Sequence, residues 1–305
     1  MSCMNILKKS FMNTNKINYK ELYVSKCSEV EILNKKISSL IKDISNMNID
    51  LSNKNNFVQE YKKGSLCSIS GSNYEKHIYK IVKNCTLNNS LFNTQDESSL
   101  GGSTATNDIT CNYINENDIG IEIKKYNTPD WMQCSIIYNK TTNKWEPSKK
   151  GKIPKESREL FDTLINNITL FDNKIPPFVE NKITHDEWLN IKKSTHIWKD
   201  SYIDVPEDTI KKLYAAKGCQ YIQVSNDYGL YHLGNDVCNF NVPEFITEQQ
   251  IRVRTKIHSK KNKKGFCNIS VTIACKPKNI KSLQQSNYSL DDIDKLPIKL
   301  VYVNP

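Results

Sequence analysis

The sequence predicts an α/β protein of the mixed α+β kind: a central mixed β-sheet flanked by helices, with a helical extension before it and a β-ribbon after it. Three patterns predict this. Leu33, Ile37, Leu40, Ile44, Met47 and Leu51 recur at alternating steps of four and three, the spacing of one helix face. Ile119, Ile121 and Ile123 alternate with Gly120, Glu122 and Lys124, the period of two of a strand. A helix opened by Pro206-Glu207-Asp208 and closed by Gly218 runs directly into Gln220-Tyr221-Ile222-Gln223-Val224, a helix-then-strand unit that belongs on a sheet.

In chain order, residues 1–63 are rich in Lys, Asn and Ser and form a helical or coiled N-terminal segment. Its heptad seam fits two arrangements, a helix docked on its own domain or a dimerisation helix. The main domain is expected over 64–305. There a helix is expected to start at Ser72 and to carry Tyr74, Glu75, Ile78, Ile81 and Val82. Glu75 lies three residues before Ile78 and seven before Val82, so it shares their inward face, and a carboxylate on a buried stripe needs a reason. A Gly/Ser/Thr stretch, Gly101-Gly102-Ser103-Thr104-Ala105-Thr106, leads into a strand within Asn107-Asp108-Ile109-Thr110-Cys111-Asn112-Tyr113. An Asn-rich loop over 114–118 then returns the chain into the alternating strand, with the three isoleucines facing the core.

Residues 139–200, with Trp145, Trp188 and Trp198 and a helical piece over 157–170, are expected to be an insertion. The tryptophans are expected to pack in a core. Asp227-Tyr228-Gly229 gives a turn and Leu230-Tyr231-His232-Leu233 its return strand. Finally Ile251, Val253 and Ile257 alternate with Arg252, Arg254, Lys256 and His258. A Lys-rich turn over 259–265 leads to a second strand with Cys267, Ile269, Val271 and Ile273 on one face.

The charge is concentrated. The chain has 43 Lys/Arg against 33 Asp/Glu, a net +10, and residues 251–281 hold ten Lys/Arg and no acid, so the rest is balanced. A basic stripe on a neutral chain suits a polyanion, most often nucleic acid, although a solvated Lys-rich hairpin has the same composition. The hydrophobic share of 38 % with only 10 Gly and 10 Pro excludes collagen-like and wholly disordered chains. No stretch approaches the ~18 apolar residues of a membrane span. The N-terminus lacks a signal peptide's apolar region, so no membrane partner and an intracellular, non-secreted protein are expected. The ten cysteines contain no CxxC pair, which favours reduced structural thiols over a zinc site.

Asp108, Glu122 and Lys124, with Glu75 upstream, carry the chemistry. The strand period puts Glu122 and Lys124 on one face, and a hairpin partner can bring Asp108 alongside Glu122. Carboxylates held together repel unless a cation neutralises them, which suits Mg²⁺ with waters and phosphate oxygens completing its shell, and Mn²⁺ is expected to substitute. An adjacent ammonium can orient the attacking water and stabilise charge building on a phosphate. The structural alternative is a surface ion-pair ladder at a sheet edge.

These residues resemble the PD-(D/E)xK nuclease superfamily, which includes restriction-endonuclease-like enzymes. The matching pieces are Glu75 in the first core helix, the segment ending at Asp108, and Ile121-Glu122-Ile123-Lys124. Asn107 stands where the family pattern has Pro. The resemblance implies that Asp108 and Glu122 are metal ligands, Glu75 an accessory ligand acting directly or through water, and Lys124 the catalytic lysine. It places Gln133, in Thr128-Pro129-Asp130-Trp131-Met132-Gln133, close to the site, and it has the helix near 208–217 and the strand over 220–224 completing a restriction-endonuclease-like core.

The expected activity is Mg²⁺-dependent hydrolysis of double-stranded DNA by a homodimer, most like a type II restriction endonuclease. The alternatives are a structure-selective or repair nuclease of the same superfamily and a non-catalytic DNA-binding protein. Arg252 and Arg254, two of only three arginines, are expected to make planar contacts to DNA that Lys cannot make, or else to pair with the chain's own acids. Lys125, Lys256, His258, Lys260 and Lys261 complete the expected DNA-binding set.

Overall fold

A computed structural model of the chain describes residues 19–92, 106–112, 118–258 and 265–304. The chain divides into two compact units, Met1–Leu66 and Cys67–Pro305. Helix α1, Tyr19–Lys83, begins in the first and ends in the second. It passes through Gly64 and Gly71 without a break, so the fresh helix start expected at Ser72 is corrected. A helical glycine costs about 1 kcal/mol relative to alanine, which weakens a long helix without ending it. Within the first unit every described side chain from 24 to 48 is exposed.

The second unit is mixed α/β, and its described residues form three sheets. The four-stranded sheet has the order β3-β4-β8-β9, from Ile109–Asn112, Asp118–Lys124, Cys219–Val224 and Gly229–His232. Strand β4 pairs antiparallel with β3 on one side and parallel with β8 on the other, and β8 pairs antiparallel with β9. A central strand of this kind is covered on both faces. The alternation expected of β4 holds in direction, but Gly120 and Glu122 are as buried as the isoleucines.

One apolar cluster covers one face, with Ile78 and Val82 of α1 against Ile109, Ile121, Tyr221 and Phe240. A second cluster takes Ile222 and Val224 on the other face, together with Leu213, Phe161 and Trp188. Burying a Leu, Ile or Phe side chain contributes about 1.5–3 kcal/mol, so these two layers fix β8 between them.

The five-stranded sheet has the order β6-β5-β11-β10-β7, from Lys144–Pro147, Met132–Asn139, Asn268–Pro277, Gln249–His258 and Ser201–Val205. The basic ribbon is therefore not a projecting arm. Its strands β10 and β11 pair over ten residues from Gln249↔Pro277 to His258↔Asn268 and form the middle of the sheet. Ile251, Val253, Val271 and Ile273 bury their side chains, and that burial holds the ribbon down. Residues 259–264 of the ribbon's turn, with Lys260 and Lys261, lie outside the described residues.

The 139–200 segment supplies helix α2, Lys155–Asn166, the short α3, Pro177–Glu180, and α4, His185–Ser194, over this sheet. Thr184 and Glu187 form a reciprocal capping box that starts α4. Trp131, Trp188 and Trp198 are buried in the second cluster, and Trp145 packs against it. A small sheet β12-β1-β2 pairs Leu300–Tyr302 and Ser90–Leu91 with Cys85–Leu87.

Helix α5, Thr209–Ala215, connects the sheets and leads into β8 through Lys217 and Gly218. Gly218 has φ +78°, the left-handed conformation that ends a helix most cheaply in glycine. Its carbonyl faces Gly120 so closely that a Cβ there would sit 2.1 Å from it and 2.5 Å from Asn107 Nδ2. Position 120 must therefore lack a side chain if β3, β4 and the α5–β8 turn are to meet.

Candidate active site

The hairpin register sets the site. Ile109 opposes Ile121, so Asp108 follows next to Glu122, and its N–H donates to the Ile121 carbonyl at 3.2 Å. The Asp108 side chain is held by the neighbouring strand, because Ile123 N–H donates to Oδ2 at 2.8 Å. Lys124 Nζ lies 3.4 Å from that same oxygen and pairs with Glu122 Oε1. Just upstream, Asn107 Oδ1 accepts from the Thr110 hydroxyl at 2.8 Å, a local turn that does without proline.

Asp108 and Glu122 are buried, 7 % and 1 % exposed, and the Lys124 side chain is 14 % exposed. With β4 flanked by strands on both sides, the alternative of a surface ion-pair ladder at a sheet edge does not hold. Burial alone would lower the Lys124 ammonium, but the Asp108 and Glu122 carboxylates and the hydrogen bond to Glu122 hold it well above the ordinary lysine value. Glu75, half-buried at the end of α1, belongs to the same electrostatic group. Burial first, then the Asp108 carboxylate, push its acid up to about 6, while Lys124 works against them.

Lys217 was missed from sequence. It is 8 % exposed, and its Nζ donates to Glu122 Oε2 at 2.6 Å. Glu122 thus has an ammonium on each oxygen. Cys219 Sγ donates weakly to the same oxygen at 3.6 Å. The ring of Tyr214 on α5 completes the wall, with Lys124 Nζ at 5.6 Å and Lys217 Nζ at 5.4 Å from its centroid. Its hydroxyl is buried and finds no hydrogen-bond partner. The signal for Lys217 is its place one residue before the helix-ending Gly218, at the foot of a strand parallel to β4. Only the pairing of β4 with β8 brings Lys217 to Glu122, 95 residues away in sequence.

The fit to a divalent cation is divided. Asp108, Glu122 and Glu75 are hard oxygen donors of the type Mg²⁺ takes, and a crowded third carboxylate and an orphaned hydroxyl are groups that a cation and its waters would satisfy. Yet both Glu122 oxygens are held by lysines, and among the described residues no group of three or more His, Cys, Asp or Glu is placed to hold a metal ion. The donor chemistry fits, and Lys217 stands where the charge of an ion would act.

The remaining expected residues are elsewhere. Gln133 is exposed on β5, beside Ala274 in the five-stranded sheet, and the structure does not bring it into contact with Asp108, Glu122 or Lys124. Lys125 donates to the Ser70 hydroxyl at 2.7 Å. Arg252 and Arg254 are engaged internally. Asp130 bridges them, 3.3 Å from Arg252 Nη1 and 2.7 Å from Arg254 Nη2. Asp200 Oδ2 accepts from Arg252 Nε at 3.1 Å and Nη2 at 2.7 Å. The Arg252 fork is thus filled by Asp200, whereas Arg254 reaches Asp130 through Nη2 alone and its Nε has no hydrogen-bond partner; pairing with the chain's own acids is the second of the two arrangements expected of these arginines. Lys256 and His258 remain exposed, with His258 Nε2 2.9 Å from the Ser270 hydroxyl. No helix among the described residues is long and apolar enough to cross a membrane. Comparison with known protein families, curated proteins and solved structures finds no match.

Proposed function

We propose that the chain is a Mg²⁺-dependent endonuclease that hydrolyses phosphodiester bonds of double-stranded DNA, most like a type II restriction endonuclease with a restriction-endonuclease-like core. The observation that carries this is the meeting of Asp108, Glu122 and Lys124 on paired strands with Glu75 beside them. The helix end, the β3–β4 hairpin, and α5 leading into β8 parallel to β4 are the parts that such a core requires.

Asp108 and Glu122, with Glu75 directly or through water, would hold the cation, which would neutralise the charge on the scissile phosphate. Lys124 is the group that orients water for attack. In the reaction a water oxygen bonds to phosphorus, one P–O ester bond breaks, and the leaving oxygen takes a proton. Tyr214, with its free hydroxyl, and the two lysines would offer hydrogen-bond donors to a phosphate, the cation supplying the positive charge that the three carboxylates leave wanting. A double-strand cut needs two such sites, which two copies of the chain would supply.

A second reading, a non-catalytic nucleic-acid-binding protein, is favoured by one observation: Lys217 already neutralises Glu122. Incubation of purified protein with supercoiled plasmid, with and without Mg²⁺, separates the two. Nicked and linear products that require the metal and vanish in Asp108→Ala and Lys124→Ala support the nuclease. Salt-dependent binding without turnover supports the alternative, and cleavage unchanged in both variants overturns the site.

A further inference from the structure

The seam on α1 is more extensive than the six residues first noticed. With Ile37 and Ile44 as a positions of a heptad, Val30 is the preceding a, and Leu33, Leu40 and Met47 are the d positions. These six side chains are between 52 and 60 % exposed, on a helix that runs unbroken from Tyr19 to Lys83. In sequence, Leu51 and Val58 hold the next two a positions. A helix of this composition, rich in Ser, Asn and β-branched residues, draws little stability from intrinsic propensity, so its length implies a partner on its apolar face.

We propose that residues 30–51 form a parallel, in-register, two-stranded coiled coil with a second copy of the chain. The occupant follows from the side chains. β-Branched Val30, Ile37 and Ile44 at a with Leu33 and Leu40 at d are the combination that favours two parallel strands over three or four. The flanking charges agree. In a parallel pair each g residue faces the following e residue of the partner, giving Glu29 with Asn34, Lys36 with Ile41 and Asp43 with Asn48, so no like charges meet. The seam from 30 to 51 spans about 32 Å of helix at ~1.5 Å per residue. The proposal adds a location to the two-copy requirement of the nuclease reading but stands without it, since a coiled coil can join copies of any protein.

The test uses the full chain. Sedimentation equilibrium at ~20 μM should give twice the 35.2 kDa monomer mass, and Ile37→Lys combined with Ile44→Lys should weaken association at least 100-fold. Because these positions are exposed, the far-ultraviolet spectrum and melting of the second unit should stay unchanged, and Ile37→Val should keep the dimer. Orientation is read by Val30→Cys in a background with Cys3, Cys27 and Cys67 replaced by Ser, which should form an interchain disulfide on mild oxidation. A monomeric wild type, a trimer or tetramer, or a dimer that survives the double Lys variant overturns the proposal, and a dimer in which Val30→Cys does not cross-link overturns the parallel register. Cleavage by the monomeric variant is scored separately: retained nicking with lost association leaves the nuclease reading standing.

Discussion

Two charge clusters, a half-buried one at the five-stranded sheet and a buried one at the four-stranded sheet, use the same kinds of group to different ends. In the five-stranded sheet, Arg252 and Arg254 face Asp130 and Asp200; Arg252 presents a planar fork to Asp200, and Arg254 reaches Asp130 through Nη2. In the four-stranded sheet, Lys124 and Lys217 face Glu122 and Asp108, with Glu75 adding a third carboxylate to two ammonium groups. Arginine stays charged and locks a geometry; lysine is a point charge on a flexible stem that can withdraw from a carboxylate. The first cluster has all its acids neutralised by rigid partners and serves packing. The second carries an excess of negative charge, an orphaned hydroxyl and movable counter-ions, which is the state of a site prepared for something else to bind.

The largest expected effect breaks that contrast at its centre. Asp108→Asn and Lys124→Ala should each lower metal-dependent plasmid cleavage by about 10³-fold or more, as loss of a group acting on the transition state does, measured as initial nicking rate at saturating Mg²⁺. In the other cluster, Arg254→Ala or Asp130→Ala should leave the intrinsic cleavage step intact but cost about 1 kcal/mol, since each leaves a half-buried charge without its partner. Denaturant melts would show this, and a variant as stable as wild type would show the arginines to be free for DNA after all.

Lys217 gives a subtler test. If its ammonium stands in for cationic charge on Glu122, Lys217→Ala should lower the Mg²⁺ concentration for half-maximal cleavage several-fold; if it only supports the fold, that concentration should stay fixed while the melting temperature falls. The smallest effect is at the exposed end of the ribbon, where Lys256→Ala should reduce the salt slope of DNA binding by about one unit without altering cut positions.

The legible part of the site was the part written in local periods. Glu122 and Lys124 share a strand, and the short connection to Asp108 makes an antiparallel partner the simplest geometry, so three residues within 17 positions could be assembled from spacing alone. Glu75 came from a helical period. Lys217 was invisible because its position depends on a parallel pairing, and parallel strands carry no turn that reveals their register. The arginines' partners were out of reach for a related reason: scarcity in a Lys-rich chain marks them as special, but nothing near them in sequence names Asp130 and Asp200. The ribbon's own alternation was right, yet alternation cannot say whether a hairpin ends a sheet or sits in its middle. Gln133 was placed by resemblance alone, and the strand that carries it pairs with β11 in the other sheet.

The contact between Gly120 and Gly218 has a consequence in time. Backbone meets backbone there with no side chain between, and the Gly120 N–H donates to Gln220 Oε1 at 2.7 Å. No rotamer change can loosen such a junction, so the carboxylate strand and the Lys217 turn can part only if β4 and β8 separate altogether. The amides of 120–123 should accordingly be among the last in the chain to exchange with deuterium, exchanging only through global unfolding. In the proposed nuclease, the motion that admits DNA would then come from the lysine side chains and not from the strands that carry the acids.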